Sequence, residues 1–137
     1  MFRLFLWKWN IRNRSNFSSS FSCNFYRKKK IVYEIKKKLI ELNIKNFKII
    51  HKHAITWLKK ARKSYDIIFL DPPFNTTLLQ DSIIQLEKNR YTKNHSLIYI
   101  ERENTSKKIF IPKNWKLYKE KKTKKVNYQL HICKKYD

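Results

Sequence analysis

Tyr65-Asp66-Ile67-Ile68-Phe69-Leu70-Asp71-Pro72-Pro73-Phe74 is the stretch on which the reading of this chain turns. Ile67 to Leu70 is continuously apolar, the pattern of a strand buried on both faces and parallel to its neighbours. Two consecutive prolines fix φ and push the residue before each into extended geometry. Asp71 therefore neither continues a ladder nor starts a helix. A carboxylate and backbone carbonyls are left facing outward beside the ring of Phe74, a set able to accept hydrogen bonds from an exocyclic amino group and to stack on the base that carries it. The competing reading is a strand that ends in a Pro-Pro turn for structural reasons alone.

Working outward, strands and helices alternate. Lys28 to Asn43 predicts a helix, with Ile31, Ile35, Leu39 and Leu42 as its inner stripe and lysines outside. Phe47 to Ile50 predicts a strand and Ala54 to Arg62 a short helix with Ile55 and Leu58 inward. After the Asp-Pro-Pro-Phe hook, Thr76 or Thr77 caps a helix reaching about Asn89 that carries Leu79, Ile83 and Leu86. Leu97 to Glu101 is the next parallel strand. Trp115 to Lys121 and Val126 to Cys133 close the sheet as an antiparallel pair around Lys122-Thr123-Lys124-Lys125. That lysine-rich tip is a solvated turn by default, and lies along RNA backbone if the chain binds RNA. In such an open α/β sheet, ligands bind beyond the carboxyl ends of the strands.

With 137 residues the chain holds one domain at most. Lys and Arg number 33 against 10 acids, a net charge of +23 that points to a polyanionic partner. Codons rich in A and T are a second source of the lysine excess, because the chain is crowded with Lys, Ile, Asn, Tyr and Phe and has no glycine. Cys23 and Cys133 lie far apart and suggest neither a disulfide framework nor zinc. His51 and His53 share a strand end, where exposed histidines are far commoner than metal ligands, so no metal is expected. Asn75-Thr76-Thr77 and Asn104-Thr105-Ser106 are chance triplets of an Asn-rich chain. Met1 to Trp9 is too short and too charged to span a membrane. Met1 to Tyr33 has no acid, which also suits an organelle presequence, but that reading leaves the missing glycines unexplained.

From about Lys28 to Lys134 the order of landmarks resembles the C-terminal part of the bacterial small-subunit ribosomal RNA guanine-N2 methyltransferases. The matching segments are Phe47 to Ile50 leading to Ala54-Ile55-Thr56-Trp57-Leu58, then the hook, Leu78-Leu79, Ser96-Leu97-Ile98-Tyr99-Ile100-Glu101, Pro112-Lys113-Asn114-Trp115 and Tyr128-Gln129-Leu130. The hook alone is shared with adenine and cytosine amino-methyltransferases; the Ile-Tyr-Ile-Glu strand and the Pro-x-x-Trp segment are more specific. The resemblance implies a Rossmann-like class I methyltransferase sheet, S-adenosylmethionine as donor, and ribosomal RNA or the small ribosomal subunit as partner of a cytoplasmic monomer. It also implies that Asp71 and the Pro72 carbonyl accept the two amino protons of a flipped guanine, that Phe74 stacks on it, and that His53 and Ala54 stand where the family contacts the cofactor adenine.

The donor half of that site is absent as written. The family holds its cofactor at a glycine-rich turn between the first strand and helix, where positive φ and close backbone approach are needed. This chain has no glycine, and no carboxylate lies near Asn24 to Arg27 to hold a ribose. The sheet is accordingly expected to be incomplete at its N-terminal strands, with residues 1–27 a degenerate or out-of-frame, poorly ordered segment ahead of a truncated domain over 28–137. A reading shifted by one base turns the TGG codons of Trp7 and Trp9 into codons that begin GG, and Asn13 to Phe17 can be spelled so that the shifted frame reads Ile-Glu-Ala-Ile-Ser. A missing first strand would leave the Ile67-to-Leu70 strand with an open apolar edge. Three functions follow as alternatives: an RNA methyltransferase that needs a further N-terminal piece, a catalytically dead remnant that binds ribosomal RNA, and a fragment of a DNA amino-methyltransferase.

Overall fold

The structure is a computed structural model that describes residues 2–8, 18–24, 29–43, 47–49, 52–60, 64–104 and 107–135. In chain order these form β1 (Phe2–Lys8), β2 (Ser18–Asn24), α1 (Lys29–Glu41), β3 (Phe47–Ile49), α2 (Ala54–Leu58), β4 (Tyr65–Asp71), α3 (Leu78–Lys88), β5 (Thr92–Glu103), β6 (Trp115–Lys122) and β7 (Val126–Cys133). One sheet of seven strands runs β3-β2-β1-β4-β5-β7-β6. His51, Ile50 and Arg62 lie outside the described residues, as do the side chains of Ile31, Ile35 and Leu39 on the expected stripe of α1. Leu42, placed on the same stripe, is exposed.

The incompleteness expected at the N-terminal strands is one of direction and connection rather than of strand number. β4 pairs parallel with β5, and β2 parallel with β3, but β1 is antiparallel to both β2 and β4. Chain length forces this. A parallel crossover needs about a dozen residues or more, whereas only residues 9–17 separate β1 from β2. β1 also corrects the expectation of an open edge. Its pairs from Arg3↔Asp71 to Trp7↔Ile67 cover the edge of β4, which is neither open nor parallel to both neighbours. Residues 2–8 and 18–24, ahead of the domain expected over 28–137, form strands whose backbone groups meet those of β3 and β4.

The core lies on one face of the sheet. Ile68 and Leu70 of β4 and Ile98 and Ile100 of β5 are fully buried against Leu58 of α2 and Ile83 and Leu86 of α3, with Trp57, Tyr91 and Trp115 closing the cluster. β4 therefore alternates, with Ile67 and Phe69 only half-buried, rather than being buried on both faces. α2 stops at Leu58, short of the expected Arg62. Its free carbonyls are met from beyond α3: the Asn89 side chain donates to Leu58 O at 2.8 Å and the Tyr91 hydroxyl to Lys60 O at 2.7 Å. Such side-chain donors satisfy the last carbonyls of a helix as well as a further turn would.

Without glycine, positive φ falls on Asn43, Asn75, Arg90 and His95. Arg90 ends α3 at φ 57°, with its N–H on Glu87 O at 3.2 Å and the Tyr91 N–H on Leu86 O at 2.9 Å, the paired bonds of a Schellman motif. A side chain with a Cβ pays for the left-handed region there. Arg90→Gly is expected to stabilise the fold by about 0.5–1 kcal/mol, read as a higher urea midpoint at unchanged slope; a lower midpoint would show the arginine side chain to matter more than its backbone.

The Pro112-to-Trp115 landmark is an anchor onto α3. Glu87 accepts from Asn114 Nδ2 at 2.9 Å, Trp115 Nε1 at 3.0 Å and the Thr92 hydroxyl at 3.0 Å, with Lys135 Nζ at 3.9 Å. Trp115 is 3% exposed, so removing the carboxylate leaves a buried indole N–H without its acceptor. Glu87→Ala is expected to cost about 2–4 kcal/mol. Chemical denaturation measures it, and a loss below about 0.5 kcal/mol would mean water replaces the carboxylate.

Candidate active site

The hook projects from the carboxyl end of β4, where Asp71, expected to leave the ladder, still pairs with Arg3 of β1 and only the prolines end the pairing. Asp71 is the last residue of the strand, and Pro72 and Pro73 have no N–H to give. The turn is fixed by two local devices. The Thr76 hydroxyl donates to Pro73 O at 2.9 Å, and Asn75 takes φ 59°, a conformation asparagine tolerates better than most residues with a Cβ. Thr77 occupies the N-cap position of α3, yet its side chain makes no capping bond. The threonines expected to cap the helix are thus divided: one hydroxyl holds the hook, and the other is not used as a cap.

Alternation along β4 puts Asp71 on the half-buried face with Ile67 and Phe69, and Pro72 on the buried side. Phe69 pairs with Tyr99 and Leu70 with Ile100, so the next residues along the two parallel strands, Asp71 and Glu101, lie side by side. Phe69 packs on Tyr99 at 5.5 Å between ring centroids and Tyr99 on Tyr128 at 6.4 Å. The Tyr99 hydroxyl is held above its ordinary pKa, first by burial and then by Glu101, Tyr128 and Asp71, so the two carboxylates face a tyrosine across the strand ends. Glu101 and Tyr128 were legible only as landmarks. The signal for Glu101 was its place at the carboxyl end of the strand next to the hook.

On the other side of the hook is a cavity of about 540 Å³. Its walls are Pro72, Pro73 and Phe74, the first turn of α3, Arg102 at the end of β5, and Lys107 and Lys108 beyond it. Phe74 is 41% exposed, a ring with a free face for stacking. Asp71 is not part of the cavity wall. The prolines and Phe74 border the cavity, and Asp71 stands at the strand end directly before them.

His53 and Ala54 are not brought to the hook. His53 is exposed at the start of α2 and makes no side-chain cap, while Ala54 is 2% exposed within the core, so its side chain is packing rather than a surface for a ligand. Both follow β3, and β2 and β1 stand between β3 and β4.

The described residues do not fit a methyl-donor cofactor of the S-adenosylmethionine type. A donor site needs a strand that ends beside the hook and turns into a helix, with glycine at the turn. Here β1 runs the other way and begins beside the hook, Arg3 opposite Asp71, and the sequence has no glycine. β2 ends at Cys23-Asn24 with no carboxylate. Among the described residues no group of three His, Cys, Asp or Glu side chains is placed to hold a metal ion, and no helix is long and apolar enough to cross a membrane.

Comparison with known proteins identifies the family. The chain is 53% identical over 119 residues to ribosomal RNA small subunit methyltransferase D of Buchnera aphidicola subsp. Baizongia pistaciae, covering 86% of this chain and 60% of that protein. The Escherichia coli K12 protein of the same name is 34% identical over 95 residues, covering 69% of this chain and 48% of the relative. The chain thus spans about half to three-fifths of the length of these curated relatives. A crystal structure of a Haemophilus influenzae protein described as a methylase superposes with a TM-score of 0.73 at 32% identity, covering 85% of this chain and 72% of that one. The family model for Conserved hypothetical protein 95 matches residues 20–132, from β2 to the end of the β6–β7 hairpin. With the hook, the Ile98-to-Glu101 strand and the Trp115 anchor all inside that match, the chain belongs to the conserved hypothetical protein 95 family, that of the bacterial small-subunit ribosomal RNA methyltransferases.

Proposed function

We propose that this chain is the target-binding part of an S-adenosylmethionine-dependent methyltransferase acting on guanine N2 of small-subunit ribosomal RNA, and that the isolated chain binds RNA without transferring methyl groups. The observation that carries the reading is the hook: Asp71 at a strand end, two prolines that leave carbonyls unpaired by the sheet, and an exposed Phe74 over a cavity. Guanine N2 is a poor nucleophile because its lone pair is delocalised into the ring. Asp71 and the Pro72 carbonyl accept the two amino protons and fix the orientation of that lone pair, Phe74 stacks on the flipped base, and Asp71 takes the proton that is lost. His53 stands exposed at the start of α2 and is given no part in these contacts.

The reversed β1 favours the RNA-binding remnant as the behaviour of this chain alone, because the donor side lacks its turn. A DNA amino-methyltransferase shares the hook but not the Pro112-to-Trp115 anchor, so the RNA reading is preferred. The partner is ribosomal RNA or the small subunit in the cytoplasm, bound by a monomer. Residues 1–27 are proposed to be an out-of-frame reading ahead of a domain starting near Lys28; the nucleotide sequence tests this, and a shifted frame without glycine codons would end it.

RNA binding is tested by titrating a single-stranded oligoribonucleotide across salt concentration. With a net charge of +23, affinity is expected to fall by a factor of about 10³ or more between about 50 and 200 mM salt. Absence of binding at low salt, or affinity indifferent to salt, would show the lysines to be compositional drift.

A further inference from the structure

We propose that the cavity beside the hook is the binding site for the RNA strand flanking the modified nucleotide, its phosphate held by Lys107 and Lys108, with Gln80 as the residue that positions them. This rests on the RNA-modifying reading above and names where the strand lies. At about 540 Å³ the cavity falls in the range of about 300–1,000 Å³ that holds small organic ligands, room for a nucleotide and not only a base.

The walls are sorted by chemistry. Pro72, Pro73, Leu79 and Ile109 give apolar surface for a flanking base, next to the Phe74 ring that stacks on the target guanine. Asp81 and Glu103 also line the cavity, and a site for phosphate alone would be weakened by them. A nucleotide carries both phosphate oxygens and base N–H donors, so a wall with cations and carboxylates suits it. The occupant is a single strand, because a base reaching Phe74 has to be out of its stack.

Lys107 and Lys108 are surface lysines on a segment without regular secondary structure, and their backbone is nevertheless fixed. The Gln80 side-chain amide pairs with Phe110 as a neighbouring peptide would: the Phe110 N–H donates to Oε1 at 2.7 Å, and Nε2 donates to Phe110 O at 3.2 Å. Ile109 and Ile111 pack against the core on either side of that pair, and Arg102 Nη1 reaches Lys107 O at 3.5 Å. Neither lysine makes an ion pair among the described residues. Gln80 thereby fixes the backbone near two exposed charged side chains at the rim of the cavity, and less backbone ordering entropy is lost on binding.

The test uses the chain as it is and a labelled guanine-containing oligoribonucleotide of about five nucleotides, short enough to occupy the cavity alone. Each phosphate contact on a single strand contributes about 0.7 to the slope of log affinity against log salt. Replacing both lysines (K107Q with K108Q) is expected to reduce that slope by about 0.7, the contribution of the one phosphate they hold. Gln80→Ala is expected to reduce the slope in the same direction with several-fold weaker binding at low salt, a readout that loss of a merely structural bond would not move. The hairpin-tip pair K124Q with K125Q serves as the competing surface and is expected to change the slope less. An unchanged slope in the Lys107/Lys108 variant, or an equal loss from the tip variant, overturns the cavity while leaving RNA binding intact. If the unaltered chain binds no RNA, the broader reading fails and the cavity with it.

Discussion

Asp71→Ala will lower methyl transfer by several orders of magnitude in an enzyme restored by fusing a glycine-bearing N-terminal segment from a family member ahead of about Lys28, while donor affinity stays nearly unchanged. Alanine removes the hydrogen bonds that a carboxylate at the end of β4 makes to the target amino group, bonds that are strongest when the lone pair is committed to bond formation. Phe74→Ala in the same fusion is expected to cost about 1–3 kcal/mol in capture of the flipped guanine, since its exposed ring acts by stacking. Single-turnover rates and donor affinity, measured together, separate the two roles. An Asp71→Ala fusion with near-normal turnover refutes the assignment. Equal, large losses of stability from both substitutions would make the hook only a turn, and the half-buried Asp71 beside Glu101 and Tyr99 is the place where such a loss would arise.

The parts of the fold legible from sequence were those in which local pattern and tertiary environment agree. Leu79, Ile83 and Leu86 marked the buried face of α3, and the β6–β7 hairpin was placed by its lysine turn. Neither the presence of β1 nor its direction was legible: residues 1–27 were expected to carry no strand, and strand period carries no information on direction. The clue was the length of the 9–17 connection, too short for a parallel crossover. The end of α2 was missed because its last carbonyls are met by Asn89 and Tyr91, some thirty residues away. Pro112-to-Trp115 could be quoted as a landmark, but its reason, the shared acceptor Glu87, exists only once α3 packs beside β6. In the site, residue types named Asp71 and Phe74. Register alone supplied Glu101, and a side-chain amide paired with a distant backbone supplied Gln80.

Donor affinity should rise from millimolar or weaker in this chain to micromolar when residues 1–27 are replaced by the corresponding family segment, a gain of about 4 kcal/mol. The direction of one strand decides this. A strand parallel to β4 in the position of β1 would end beside the hook and deliver a glycine turn and a helix N-terminus to the site; the β1 seen here begins there instead, placing Arg3 opposite Asp71. Replacing glycine-free residues 1–27 restores both direction and turn, because the longer family segment has the length for a crossover that residues 9–17 lack. Calorimetry reads the affinity, and thermal unfolding checks it, since saturating donor at about 100 times its dissociation constant adds about 2.7 kcal/mol to a folded state that binds it. Micromolar affinity in the unaltered chain would mean that a different backbone makes the site. A folded replacement with no gain would place the fault elsewhere, at the His53 end of the sheet, where an exposed imidazole and a buried alanine follow β3.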